Sequence, residues 1–545
     1  MRQYTNFLPY LAVGALMVSC SDIDEQLPEG STLTQEQVTA TTEAITSRSE
    51  ATFNGMFTMM YQPDYTFGSG RADDFGFIAM AISQDAEGPD FTSADNNYNW
   101  FSAALALSTR NNTYANPYLR YVMPYRQIGV ANDLINTIDE NTENATSQAM
   151  LAQAHAMRAF DYLSLAPYFQ FSYATAKDQP CVPILTDGVD YANNPRATVE
   201  EVYNYILEDL DFAIEHLSGY DRGADVSKIN LNVAYGLRAR AYLNMGEWAK
   251  AAEDATKALE GYTPASIAEV SVPAFCDATE HNWIWGIAAN YDMIFKTDNY
   301  YATSSSWLSA FTGDGYGPAT SCVPMVNKLL FDLIPSTDVR KGWWLDENLH
   351  TPNWANLTWA GATGDEIANL TTDDGGKVPF SAYTNVKFGQ KDGVGSAKNS
   401  NDFPLMRAEE MILIQAEGYA KSGNETKAEQ ILTNFVQTYR DPAYSIPASR
   451  TLADEIWFQR RVELWGEGFA TSDLKRLGKP LVRFHTGVES NVPDAFQFNM
   501  EATDGWFNMR FPQTELDNNF GIVDNEGGAA PVAGQNPDLK DGVTD

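Results

Sequence analysis

Residues 231–262 (LNVAYGLRARAYLNMGEWAKAAEDATKALEGY) constrain the fold more than any other stretch. They have the form of two antiparallel helices. Ala234, Ala239 and Ala241 stud the first, beside Leu237, Tyr242 and Leu243. Gly246 closes it, because a residue without a Cβ accepts the left-handed backbone that a helix end often needs. Trp248, Ala251, Ala252, Ala255, Ala258 and Leu259 then recur at helical spacing on one face of the second. Small residues at the crossing let the helices approach closely, and Trp248 plugs the joint. A pair built this way is a scaffold, so chemistry must be sought elsewhere in the chain.

The spacing of Gly246, Trp248, Ala251, Ala258 and Leu259 matches the core of a tetratricopeptide repeat. Further helices are expected over residues 51–61, 116–138, 148–169 and 198–217, the last opened by Thr198 with Glu201 three residues on, a capping box. From 263 to 403 the helical rhythm mostly stops, with a short strand expected over 282–288. Helices return after Pro404: residues 407–421 and 426–437 form a weaker second pair around Gly423, and 454–467 a further helix. Residues 62–113 read as a long loop, and the acidic, Gly/Pro-rich tail after Thr514 as loosely held. The expected fold is mainly α: tetratricopeptide-like helical pairs forming an α-α scaffold, with long loop-rich insertions and a few short strands. Because the second pair lies beyond the insertion, the repeats are interrupted.

The formal net charge of −36 argues against nucleic acid, whose binders carry basic stripes, and against adhesion to an anionic membrane by charge. No catalytic set is legible. His-Glu-x-x-His, a phosphate loop and Gly-x-Ser-x-Gly are all missing, and the five histidines are scattered, so the expectation is a protein that is not an enzyme and uses no cofactor. Asp85, Glu87 and Asp90 lack calcium-loop spacing, and no metal site is expected. The paired acids Asp73–Asp74 and Glu409–Glu410 read as surface or caps. Cys181, Cys276 and Cys322 are widely spaced; one bridge is possible, and inert core thiols are the simpler reading.

Arg2 precedes a short apolar run from Phe7 to Val18 that ends at Ser19-Cys20. The run is too short to span a bilayer and suits a signal peptide. A small residue before a cysteine resembles a bacterial lipoprotein signal, with lipid on Cys20, although Met17 stands where leucine is usual. The acidic residues that follow resemble the signal sending lipoproteins of Bacteroidetes to the cell surface. The expected organisation is a signal peptide (1–19), a tether (20–49), an N-terminal helical region (50–262), and a loop-rich insertion with a C-terminal helical region (263–545) forming one compact unit with it.

Several spaced phrases occur in one order. Tyr125-Arg126-Gln127-Ile128 comes with Ala131-Asn132, then Arg158, Ala159, Phe160 and Tyr162, then Val182-Pro183-Ile184. Arg196 follows with Thr198-Val199 and Asp209-Leu210, then the hairpin. Last come Phe403 to Arg407 with Glu409, Glu410 and Glu417, and Arg460 to Leu464 with Glu467-Gly468 and Asp473 to Arg476. Together they resemble the SusD/RagB family of outer-membrane nutrient-binding lipoproteins. Residues 170–184 keep only the end of their phrase, and Gln459 replaces a usual glutamate. The resemblance implies a surface-exposed lipoprotein that sits as a lid over a SusC-like TonB-dependent transporter and delivers oligosaccharide or polysaccharide, or in some relatives peptide or another nutrient.

A sugar ring offers an apolar C–H face and a rim of hydroxyls, which flat aromatics and Asn, Asp or Arg complement. In the family such residues lie on early and middle loops. Here those loops supply Arg71, Asp74, Asn97, Tyr98 and Trp100, then Tyr291, Tyr300, Tyr301 and Trp307. Packing between loop and scaffold is the favoured reading for any one of them; as a group, at least two are expected to line a site. A purely structural repeat scaffold and an outer-membrane hydrolase are the competing readings. Arg460 to Glu467 reads as structural, with ion pairs locking the last helices.

Overall fold

The computed structural model describes residues 46–545 apart from 64, 69–70, 96–99, 290–307, 310, 312–321, 355–368, 372–374, 376–377, 379 and 397–400. The leader, Cys20 and most of the tether lie outside the described residues.

The early helices are α1 (Thr46–Thr58), α2 (Gly76–Ala86), α3 (Trp100–Leu105), α4 (Ala115–Thr137), α5 (Ala145–Phe169) and α6 (Val199–His216). The hairpin follows as α7 (Leu231–Met245) and α8 (Trp248–Ala258), and the C-terminal part adds α9 (Ala408–Lys421), α10 (Glu425–Tyr439), α11 (Leu452–Glu463) and α12 (Ala470–Leu477). Local chemistry sets the boundaries as expected. Gly246 takes φ +79° and ends α7. The Thr198 hydroxyl accepts from the Glu201 amide while the Glu201 carboxylate accepts from the Thr198 amide, completing the capping box of α6.

The helices α4 through α8 pack in sequence order, and α8 then packs on α9, which contacts α10 and α11. The repeats are therefore interrupted along the chain and continuous in space, with residues 263–403 inserted in sequence between α8 and α9. The α8–α9 crossing explains why: a Cβ on Gly418 would lie 2.5 Å from the Trp248 carbonyl oxygen and 2.9 Å from the Ala252 Cβ. Gly418→Ala is therefore expected to destabilise by about 1–3 kcal/mol through overpacking, against the roughly 1 kcal/mol that alanine gains over glycine in an open helix. Denaturant titration checks the sign.

Three expectations are corrected. Residues 62–113 contain α2 and α3. All of α2 except Phe77 is buried, so the segment shows no amphipathic period and looks like an apolar loop. The second pair opens with a strand: β4 (Phe403–Arg407) pairs antiparallel with β2 (Trp283–Ile287), and α9 starts only at Ala408. A second small sheet joins β1 (Phe91–Thr92) to β3 (Met325–Val326). The tail is fastened, not loose. The Asp541 carboxylate accepts from Arg461 and from the Val543 and Thr544 amides, and Val543 is buried.

Beneath the scaffold lies a buried ionic cluster. The cations Arg340, Lys387, Arg407 and Arg440 face the carboxylates Asp338, Glu409, Glu463 and Glu467, four against four, and all eight are buried. Glu463 accepts from Arg440 at 2.8 Å (twice), from Arg407 at 3.2 Å and from Arg340 at 3.3 Å. Arg461 reaches from α11 to Asp90 and Asp541, both at 2.7 Å, tying the early chain and the tail to one helix. This is the structural role read from residues 460–467. Trp283, Trp285, Trp343 and Trp344 of the aromatic-rich segment are also fully buried, as core. Among the described residues Cys181, Cys276 and Cys322 form no disulfide and are buried; burial pushes the Cys181 thiol up to about 12.

Asp161 on α5 is the exception to this pairing. It is buried, its Oδ2 has no hydrogen-bond partner among the described residues, and burial alone holds its carboxyl well above the usual range. A raised folded pKa means that stability declines as pH climbs above the ordinary value of 3.8. Asp161→Asn removes that decline, so it is expected to stabilise by about 1 kcal/mol or more near pH 8 and much less near pH 4, read from paired melts.

Candidate functional site

The loop leaving α1 carries the best-formed aromatic surface. Its anchor is Asp74. The buried carboxylate accepts from the Thr66 amide at 3.0 Å and the Phe67 amide at 2.7 Å, holding Thr66 and Phe67 beside Asp74. Phe67 is 39% exposed. Its ring meets Tyr118 of α4, with centroids 4.9 Å apart, and the Arg71 guanidinium lies 4.9 Å from the ring centre. Arg71 is itself oriented by a two-pronged pair with Asp73, at 3.0 and 2.9 Å. Alongside, Arg126 donates to the Tyr65 carbonyl at 2.7 Å and covers the Tyr65 ring at 5.5 Å. Tyr114, one turn before Tyr118, is 46% exposed.

Trp100 opens α3 and is half-buried. It meets Phe75 at 6.4 Å and Phe101 at 4.8 Å. Since Phe75 follows Asp74, three of the sequence candidates (Arg71, Asp74 and Trp100) fall around one loop. Asn97, Tyr98, Tyr291, Tyr300, Tyr301 and Trp307 lie outside the described residues. Phe67, Tyr118 and Tyr65 were not singled out from sequence. Phe67 is flanked by Thr66 and Gly68, and an aromatic in such a polar, Gly-rich sequence has no apolar period to serve. Tyr114 is the N-cap of α4 and Tyr118 lies in its first turn.

This arrangement offers partly exposed rings beside Asp74, with the Arg71 and Arg126 guanidiniums over the Phe67 and Tyr65 rings. It can stack on an apolar face and donate to hydroxyls or carbonyls. The acids considered for other chemistry are committed. Glu87 pairs with Arg110, and Asp90 with Arg461. The Asp85 carboxyl accepts from the Gly468, Phe469 and Ala470 amides and caps α12, while burial pushes it up to about 7. Glu409 pairs with Arg440 and Arg407, and Glu410 with Arg240. Among the described residues no group of three or more His, Cys, Asp or Glu is placed to hold a metal.

Comparison with known proteins places the chain in a family. Residues 75–243 match a SusD-like family described as starch-binding associating with outer membrane, and residues 344–527 match the SusD family itself. The chain belongs to the SusD/RagB family. A SusD-like protein of Bacteroides ovatus is 25% identical over 363 residues, 62% of this chain and 61% of that protein; the match thus spans under two thirds of the relative's length. Among solved structures, a SusD-like carbohydrate-binding protein of Bacteroides vulgatus superposes with TM-score 0.69 at 24% identity, over 88% of this chain and 97% of the other. Surface glycan-binding protein A of Bacteroides uniformis superposes with TM-score 0.60 at 16% identity, over 88% and 99%. At these identities the likeness establishes the SusD fold. The two matched segments hold the platform's Trp100 and Tyr118 and most of the buried ionic cluster. Among the described residues no helix is long and apolar enough to cross a membrane.

Proposed function

We propose that this SusD/RagB-family chain binds oligosaccharide or polysaccharide at the outer-membrane surface without hydrolysing it, held there by lipid on Cys20, and delivers it to a SusC-like TonB-dependent transporter. The observation that carries this reading is the aromatic surface around Asp74: Phe67, held at its amide by Asp74, packs on Tyr118 beneath Arg71, and the half-buried Trp100 meets Phe75, the residue after Asp74. Rings held in place before the ligand arrives lose little freedom on binding, which favours stacking on sugar faces. Relatives of the same fold are a carbohydrate-binding and a surface glycan-binding protein. Asn97, Tyr98, Tyr291, Tyr300, Tyr301 and Trp307 are proposed to extend the platform.

Native affinity electrophoresis against a polysaccharide panel tests the ligand class. Retardation by at least one glycan, with no shortening of the polymer, is expected. Retardation by none, with binding of oligopeptides instead, would replace glycan with peptide. Detergent extraction from the native membrane tests the partner. The chain should co-purify with a large β-barrel and leave the membrane when Cys20 is replaced by Ala.

A further inference from the structure

A groove lies between the C-terminal end of α1, residues 227–228 and the end of β2, and shares no residue with the aromatic surface around Asp74. It encloses about 520 Å³ including its open mouth. Phe57, Met60 and Ile287 form an apolar floor. Among the described residues, Lys228 is the one charged side chain in its lining.

Lys228 is held on a fastened stretch of chain. Arg222 donates to the Lys228 carbonyl, the Trp285 indole to the Ser227 carbonyl, and the Ile229 amide to Gln153, each at 2.9 Å. The side chain is held as well. Its Nζ donates to the Asn54 Oδ1 at 2.7 Å and lies 4.6 and 4.2 Å from the Phe53 and Phe57 ring centres. All of these partners are neutral. Among the described residues Lys228 makes no ion pair, in a chain that carries 72 acidic side chains against 36 Lys and Arg. Asp225, the carboxylate whose field reaches it, is turned to the Ser227 amide and hydroxyl, at 3.0 and 2.5 Å. Partial burial lowers the Lys228 pKa below the ordinary lysine value, and an anion beside it would reverse that shift.

An ammonium has three N–H donors; Asn54 takes one, and the two rings offer attraction without a hydrogen-bond acceptor. Polar groups within reach of a ligand surround the remaining two. The exposed Asn54 has no acceptor for its Nδ2 among the described residues. The partly exposed hydroxyls of Thr58 and Ser227 donate to the Asn54 carbonyl and to Asp225, so their oxygens stay open as acceptors. The net charge of −36 repels an anion from afar, but exposed charges beyond about 10 Å are largely screened at physiological salt, so the local cation decides.

One cation without an anion, a ring of neutral donors and acceptors, and an apolar floor complement an acidic sugar. We infer that this groove is a second binding site, taking a sugar ring that bears one carboxylate or sulfate ester, with the anion on Lys228 Nζ and ring hydroxyls on Asn54, Thr58 and Ser227. It does not rest on the aromatic surface, so either site can fail while the other stands.

Saturation-transfer NMR on the full chain tests it, with glucuronate, galacturonate and glucose 6-sulfate as probes, glucose as the neutral control and inorganic sulfate as competitor. At least one acidic probe should bind five times more tightly than glucose or better, and the probe preferred tells carboxylate from ester. Lys228→Gln removes the charge, and Asn54→Asp sets a carboxylate against it from the other wall. Each should bring the ratio close to one in a variant whose melting matches wild type, while Phe67→Ala/Trp100→Ala should leave it unchanged. No acidic probe preferred over glucose would overturn the proposal. So would a preference that survives both substitutions, or one lost in the Phe67→Ala/Trp100→Ala variant. Displacement by inorganic sulfate at the concentration of the sugar itself would show an ion site only and would also overturn it.

Discussion

Glu463→Gln is expected to cost about 3–5 kcal/mol, a large fraction of the stability of an ordinary domain. The wild-type carboxylate sits among Arg340, Arg407 and Arg440, all fully buried. Neutralising it leaves four buried cations facing three carboxylates, and water cannot reach the excess charge. Removing Arg440 with it restores the balance at three against three. The Arg440→Gln/Glu463→Gln double variant should therefore cost clearly less than the sum of the two single variants, measured as a denaturation cycle. Equal costs would mean that the residues act by shape alone.

The same cluster sets the acid limit. Burial pushes the Glu463 carboxyl upward, but the three guanidiniums overcome it and hold the group well below its ordinary 4.5. Glu467, Asp473 and Asp541 are depressed for the same reason by their own cations. A depressed folded pKa gives stability that is complete above the ordinary value and is lost as pH falls through the folded one. Unfolding should therefore set in below about pH 4, and the Glu463→Gln variant should show a shallower acid limb. Asp85 works with the opposite sign between 3.8 and about 7, so the stability optimum should lie on the acid side of neutrality.

The second large effect belongs to the aromatic surface around Asp74. Phe67→Ala removes exposed ring surface and little core, so glycan affinity should fall about tenfold with melting nearly unchanged. Asp74→Ala touches no ligand in this account, yet frees the Thr66 and Phe67 amides. It should weaken the same glycan while raising the protease sensitivity of residues 62–75. If Asp74→Ala left affinity intact, the hold on Phe67 would not be what makes the surface a site.

Much of the scaffold was legible because its signals are local. Gly246 at a left-handed helix end, Thr198 with Glu201, and alanines at helical spacing act within a few residues of themselves. Signals that depend on distant partners were not legible. Helix α2 hides its period because nearly every face is covered. The contiguity of α8 with α9 rests on Gly418 meeting Trp248 and Ala252, which lie far back in the chain. The fastening of the tail depends on Arg461 meeting Asp541. At the candidate site, Arg71, Asp74 and Trp100, singled out from sequence, fall around one loop. Phe67 and Tyr118 were not singled out, because their partnership joins a turn to a helix some 50 residues later.

The central claim is that the aromatic surface around Asp74 binds glycan. Calorimetric titration of the full chain with soluble neutral polysaccharides, run beside the Phe67→Ala/Trp100→Ala double variant, tests it most directly. The expected result is saturable heat for at least one polysaccharide in the wild type, with affinity at least a hundredfold weaker in the double variant. Identical titrations for the two proteins, or heat only with peptides, would contradict it.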